Sequence, residues 1–356
     1  MKKMFLTGLA VLGILAAGCS KDSIVPETPG NTGQASLRVA IKGEEAITRA
    51  VGNPSTDDEK RVHSFTVYVF NQATGVLEAS KTFPDGLEGT VSGLGVASQK
   101  KVVVFVNQPE GFPAVSNYGD FANASTMISL STQVPGDFQT EGLFMSGETT
   151  DPVTLSTENV VRVPVTVSRL TAKVRLGALT VTPGQGLSID DFDLKGVTVQ
   201  QARDRYDALG VMRTSGFGYV GGVQLAGQEA SQVDFLHESY SLESSYTPGT
   251  KLEPQIYFYV FPNKNTNGNA TLLNLYGTYK GNTVYFPFQI NNEAGSGSST
   301  TDGNWIERNK IYTLNVTLKK VGNGGGDPNV PNEEVSMDVE ISVEDWENEL
   351  VQEIEW

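Results

Sequence analysis

The chain has 356 residues, 38% of them hydrophobic, which is enough for ordinary cores and excludes a disordered protein. Its net charge of −15 excludes a nucleic-acid footprint, because a phosphate backbone would be repelled, and fits a role for the surface in solubility. With one cysteine, no disulfide within the chain is possible.

The first residues read as a targeting segment. Lys2 and Lys3 give a positive start, and residues 4–17 form a 14-residue apolar stretch too short to span a bilayer comfortably. Leu15-Ala16-Ala17-Gly18-Cys19 resembles a bacterial lipobox, so residues 1–18 are expected to be removed and Cys19 acylated. The alternative is an ordinary cleaved signal that happens to contain a cysteine. Residues 20–33, rich in Ser, Lys, Pro, Thr and Gly, read as a flexible tether.

Residues 35–50, ASLRVAIKGEEAITRA, join that tether to the folded body. Leu37, Val39 and Ile41 alternate with polar or small residues, the period of a half-buried strand, and Thr48-Arg49-Ala50 follows in a loop-like setting. Such a strand is tethered on one side and severable on the other. Cutting between Arg49 and Ala50 would remove a strand that the body needs in order to fold.

Further strands are expected at residues 62–70 (VHSFTVYVF) and 101–107 (KVVVFVN), the latter apolar enough to be covered on both faces. Glycine and proline punctuation between them suggests short strands and turns. Residues 120–130 (DFANASTMISL) are the best candidate for a short helix. Strands follow at 160–167, 170–181, 196–200, 255–261, 272–279, 283–290 and 310–319, with residues 180–186 as the expected interdomain joint. This spacing argues an all-β protein with one sandwich in each half. The expected segments are a signal (1–18), a lipidated pro-segment (19–49), two sandwiches (50–183 and 184–326) and a tail (327–356).

The tail hangs from the glycine-rich residues 322–332. Val335, Met337, Val339, Ile341 and Val343 alternate with Ser336, Asp338, Glu340, Ser342 and Glu344, and Trp346 follows. Residues 327–356 carry eleven acids and no Lys or Arg. An ordinary edge strand of the second half is one reading. The other pairs the two ends of the chain: a sandwich that loses an early strand exposes an apolar groove and unpaired backbone, a template for another chain. Five alternating apolar side chains filling it would contribute about 8–15 kcal/mol gross. Because each copy gives one strand and receives one, the contact does not close and a filament results.

The order of several segments resembles the fimbrillins, structural pilins of the type V pili of Bacteroidales. These segments are the lipobox ending at Cys19, the Arg49-Ala50 junction, GLFMSG (142–147), SRLTAKVRL (168–176), FYVFPN (258–263), ERNKIYTLNVTL (307–318) and ISVEDW (341–346). The resemblance implies two tandem transthyretin-like β-sandwich domains and export as an outer-membrane lipoprotein. It also implies trimming by an Arg-specific trypsin-like surface protease, and polymerisation with copies of itself and with anchor and tip subunits by strand exchange. Leu37, Val39 and Ile41 then belong to the strand lost on trimming, and Val335 to Val343 with Trp346 to the donor, in mature extracellular fimbriae.

Charge adds one expectation. Arg162, Arg169, Lys173 and Arg175 form a basic island without an acid between residues 159 and 189. Arg169, Lys173 and Arg175 are expected on the solvent face of one strand, as guides for a neighbour's acidic tail. An ordinary solvated face is the alternative. Catalytic chemistry has little to build on: His63 and His237 are the only histidines and stand apart, and Asp190-Asp191-Phe192-Asp193 lacks a full calcium-loop pattern. No cofactor, metal or enzymatic activity is expected. The competing functional class is a monomeric, surface-tethered adhesin or glycan-binding lipoprotein.

Overall fold

The computed structural model describes residues 33–43, 57–84, 86–134, 136, 141–264, 269–290, 305–322, 324–331 and 337–346. All belong to one compact unit, Asn31–Trp356. Cys19, Arg49, Ala50 and Val335 lie outside the described residues.

The first half builds a seven-stranded sheet from β1 (Gln34–Gly43), β2 (Phe65–Asn71), β3 (Leu77–Phe83), β4 (Glu88–Gly95), β5 (Lys100–Val106), β6 (Met145–Glu148) and β7 (Val161–Arg169). Their spatial order is β3-β2-β5-β6-β7-β1-β4. β-branched and aromatic residues dominate β2 and β5, as a pleated, covered surface favours. The sheet curls until its two ends meet: the Lys81 ammonium on β3 donates to the Thr90 carbonyl on β4 at 3.1 Å. There Phe83 packs on Gly89, where an added Cβ would lie 2.5 Å from the ring, so the close approach requires glycine. Inside lie Leu37, Val39, Phe65, Val67, Val91, Val102, Val104, Met145 and Val165, all buried.

β5 is covered on both faces, as its unbroken apolar run predicts. Val102, Val104 and Val106 face this first core, whereas Val103 and Phe105 belong to a second. The second core begins in an aromatic nest on the outer side of the sheet, where Phe105 meets Phe121 and Phe144 at 5.1 Å between centroids.

The helix expected at residues 120–130 is not formed. Three separate 3-10 turns, Tyr118–Ala122, Ala124–Thr126 and Leu130–Gln133, stand there, with Ile128–Ser129 as a short strand. Polar side chains compete for the backbone and divide the segment. Asp120 accepts from the Ser116 and Asn117 amides, and the Thr126 hydroxyl donates to the carbonyls of Phe121 and Asn123.

The second half adds β8 (Ala172–Val181), β9 (Phe192–Gln200), β10 (His237–Ser239), β11 (Ile256–Val260), β12 (Leu272–Tyr279), β13 (Asn282–Gln289), β14 (Lys310–Leu318) and β15 (Met337–Asp345). One sheet runs β10-β9-β12-β13. In the other, β8 lies between β11 and β14, and β15 closes the far edge. Val197, Leu275 and Phe286 of the first meet Val174, Phe258, Leu314 and Val316 of the second in the larger core. The chain leaves the seven-stranded sheet at Leu170–Thr171, between β7 and β8 and upstream of residues 180–186. Leu170 and Ala172 are already fully buried in the larger core.

Candidate functional site

β1 occupies a slot rather than an edge. It pairs antiparallel with β4 over residues 34–40 and parallel with β7 over residues 37–43. Leu37 and Val39 are 0% exposed and Ile41 5%, so the inward side of the strand fills the first core. The three side chains contribute about 5–9 kcal/mol gross by burial. Removing β1 would separate β4 from β7 and leave two rows of unpaired backbone groups around an apolar trough.

The outward side is charged. Arg38 on β1 and Arg162 on β7 are register partners, and both reach Glu88 on β4, Arg162 at 2.5 Å. The Arg162 hydrogen bond holds the Glu88 carboxyl below its ordinary value against desolvation, the next largest effect, and the charges of Arg38 and Arg162 add to the lowering. A carboxyl lowered on folding contributes stability above its unfolded value, and the contribution is lost as pH falls through the folded one. Acidification is therefore expected to lower amide protection in β1 and β4. Glu88→Gln should flatten this dependence, measured by hydrogen exchange corrected for intrinsic rates; the effect is small because the groups are exposed. An unchanged acid profile in the variant would remove Glu88 from the account.

The tail is paired within its own chain. β15 runs antiparallel to β14, with Met337 opposite Leu318, Val339 opposite Val316, Ile341 opposite Leu314 and Val343 opposite Tyr312. Val339 is half-buried against the larger core, and Glu340 and Ser342 are exposed. Beyond the strand the Trp346 amide donates to the Asn309 carbonyl at 3.1 Å. Its indole is 1% exposed, in a small cluster with Leu143, Tyr259 and Ile311. The ring stacks on Tyr259 at 5.7 Å and 6°, and the Arg169 guanidinium lies 4.4 Å from its centroid.

The three basic residues expected on one solvent face are placed otherwise. Arg169 ends β7, whereas Lys173 and Arg175 are on β8. Arg169 is 0% exposed and Lys173 9%, and Arg175 is half-buried with its guanidinium donating to Thr313 Oγ1 at 2.8 and 3.1 Å. Arg169 and Lys173 lie under a covering element and Arg175 leans on the neighbouring strand β14, which single-strand periodicity does not reveal.

The covering element is the 3-10 turn Asp57–Lys60. Glu59, 1% exposed, accepts from Lys173 Nζ at 2.7 Å and from the Tyr259 hydroxyl at 2.6 Å, and its carbonyl accepts from Arg169 Nη2 at 3.0 Å. Arg169 Nη1 donates to Asn309 Oδ1 at 3.3 Å. Burial and then the Glu59 carboxylate push the Tyr259 phenol up, and burial lowers Arg169 to about 10. Asn309 adopts φ 57°, a left-handed conformation that asparagine tolerates. Glu59 was missed in the sequence because residues 52–60 read as a polar connection.

Leu143, Arg169, Tyr259, Ile311 and Trp346 come one from each of the segments GLFMSG, SRLTAKVRL, FYVFPN, ERNKIYTLNVTL and ISVEDW. Segments far apart in the chain thus converge on one indole. The histidines lie elsewhere: His63 Nε2 is 3.2 Å from the Glu141 carbonyl and His237 Nε2 is 2.7 Å from the Tyr276 hydroxyl. Asp191 faces Lys280 at 3.6 Å, and Asp193 pairs with Lys195.

Residues 35–184 match the sequence model of the family described as major fimbrial subunit protein (FimA). No curated protein sequence matches the chain. Among solved structures, a putative cell adhesion protein from Bacteroides eggerthii is similar at TM-score 0.63 and 22% identity, covering 89% of this chain and 98% of that one. A fimbrilin (FimA) from Porphyromonas gingivalis follows at TM-score 0.61 and 19% identity, covering 88% and 98%. The tip fimbrial protein Mfa3 from the same organism, with a C-terminal truncation, matches at TM-score 0.50 and 14% identity, covering 87% and 100%. At these identities the likeness establishes the shared all-β fold.

Proposed function

We propose that the chain, whose residues 35–184 match the major fimbrial subunit family, is a fimbrillin-type pilus stalk subunit assembled by strand exchange. Cys19 carries lipid on an outer-membrane precursor. An Arg-specific, trypsin-like surface protease cuts between Arg49 and Ala50, β1 leaves its slot, and the tail of a neighbouring copy enters. The mature form belongs to surface fimbriae with other copies and with anchor and tip subunits.

The observation that carries this reading is the position of β1. A strand laddered on both sides and buried at Leu37 and Val39 is structurally required, yet it precedes nearly the whole fold. Its loss creates a vacancy of defined length, direction and polarity. β15 is the complementary part: an apolar alternating strand whose ladder is with β14 alone among the described residues.

The test is low-dose trypsin on the purified precursor, with sequencing of the new N-terminus and an unboiled denaturing gel. Cutting before Ala50 together with a denaturant-resistant ladder is expected, since strand-exchanged polymers unfold slowly. Arg49→Ala should fold, remain a lipoprotein and give no ladder.

A second reading, a monomeric surface-tethered binder, is favoured by one feature. A cleft of about 250 Å³ beside β9 is lined by Gln201, Tyr219, Gln224, Gln228, Asp327 and Asn329, four amides, one carboxylate and one aromatic ring suited to a polar ligand rich in hydrogen-bond donors. A trimmed chain that stays monomeric at every concentration would favour this reading over the first.

A further inference from the structure

We infer that Trp346 is a catch that holds the tail on its own subunit, and that Glu59 closes it. The inference deepens the strand-exchange reading and rests on it only for its consequence in assembly. On sequence alone Trp346 belongs with the donor residues, as one more apolar group for a neighbour's groove. Its surroundings assign the opposite role.

The tail has two attachments of unequal depth. Along β15 the ladder runs to one neighbour, Val339 is half-buried, and Glu340 and Ser342 are exposed. At its end Trp346 is among the largest fully buried side chains of the described residues. Leu143, Tyr259 and Ile311 form its apolar surroundings, Arg169 lies over its ring and Asn309 holds its amide. An edge strand laddered to one neighbour, with Val339 only half-buried, exchanges more readily than a deeply packed indole at its end. Trp346 therefore governs departure.

Both polar groups that contact the indole are held by Glu59, Arg169 with the help of Asn309. Its carboxylate holds the Tyr259 hydroxyl and its carbonyl holds Arg169. The segment is sewn down further by Asn107, whose side chain donates to the Arg61 and Leu143 carbonyls at 2.9 and 3.1 Å and accepts from the His63 amide at 2.9 Å. Asn107 thus ties the segment around Glu59 to Leu143, itself part of the Trp346 cluster. Glu59 lies ten residues after Arg49. The part of the chain that follows the removable strand is the part that shapes the tail's anchorage, so loss of one and release of the other are linked through a single turn.

The test is hydrogen exchange of β15 amides in the full-length chain, with β1 and β9 as internal references. Trp346→Ala is expected to lower β15 protection by about tenfold or more while leaving β1 and β9 unchanged. Trp346→Phe, which keeps a ring for Arg169 and Tyr259, should recover much of it. Glu59→Gln, isosteric and uncharged, should lower β15 protection by about threefold or more. Unchanged β15 protection in Trp346→Ala would overturn the catch, and unchanged protection in Glu59→Gln would overturn its closure; equal loss in β1 and β9 would mean general destabilisation and overturn both. After trimming, Trp346→Ala should polymerise faster than the parent chain, and a slower rate would return Trp346 to the donor set. If no chain polymerises, strand exchange fails while the exchange result for the catch still stands.

Discussion

Val39→Asp in the uncut chain is expected to cost more than about 4 kcal/mol, a large part of an ordinary domain's stability. Val39 is 0% exposed, opposite Gly89 on β4 and Val163 on β7, so a carboxylate there meets neither water nor a cation. It must either be protonated at a cost or withdraw, and withdrawal takes β1 out of a slot whose loss unpairs both neighbours. Urea unfolding followed by near-ultraviolet dichroism measures the change. Arg38→Ser, one residue away on the exposed side, is the control and should shift the midpoint only slightly. A native midpoint in Val39→Asp would show that the first core does not depend on β1.

This asymmetry between adjacent residues was legible in the sequence, because alternation of Leu37, Val39 and Ile41 is a local signal and the strand is covered on one side only. β12, expected at residues 272–279, coincides with Leu272–Tyr279 for the same reason. β3 was not legible. Its sequence, LEASKTF, lacks the apolar density of its neighbours, and its burial pattern shows only intermediate or exposed residues, as suits the end of a sheet. β4, with three glycines in eight residues, falls in a region read only as short strands and turns, and its place is fixed where Phe83 packs on Gly89.

The Trp346 anchorage was illegible for a different reason. Its residues are distributed over β7, β11, β14, the approach to β6 and the chain's end, and nothing in the period of any one strand announces that they meet. The segments that carry the family resemblance contained the pieces without their geometry. Charge misled where periodicity was incomplete: a basic island in an acidic chain suggested solvent-facing guides, whereas Arg169 and Lys173 are covered by a turn read as polar linker. A buried cation needs a partner, and here the partner came from a position with no pattern to identify it.

The double substitution Val339→Asp with Ile341→Asp is expected to abolish the polymer, with far-ultraviolet dichroism of the uncut variant as the check that the fold is kept. In its own chain β15 is an edge strand with Val339 half-buried, and a carboxylate there retains access to water at modest cost. In a neighbour's slot the same positions would replace side chains such as Leu37 and Val39, which are 0% exposed, and each buried carboxylate would oppose binding by several kcal/mol. Two such penalties exceed the tenfold-per-1.4 kcal/mol margin of any plausible assembly concentration. The readout is the ladder on an unboiled gel after trimming, with Ser342→Asp on the exposed side as a control that still polymerises. A full ladder from the double variant would make β15 an ordinary edge strand and require another donor. The contrast with Trp346→Ala is the sharper point: if strand exchange assembles the polymer, substitutions a few residues apart within one tail should move assembly in opposite directions, one weakening entry into a neighbour and the other easing departure from the parent subunit.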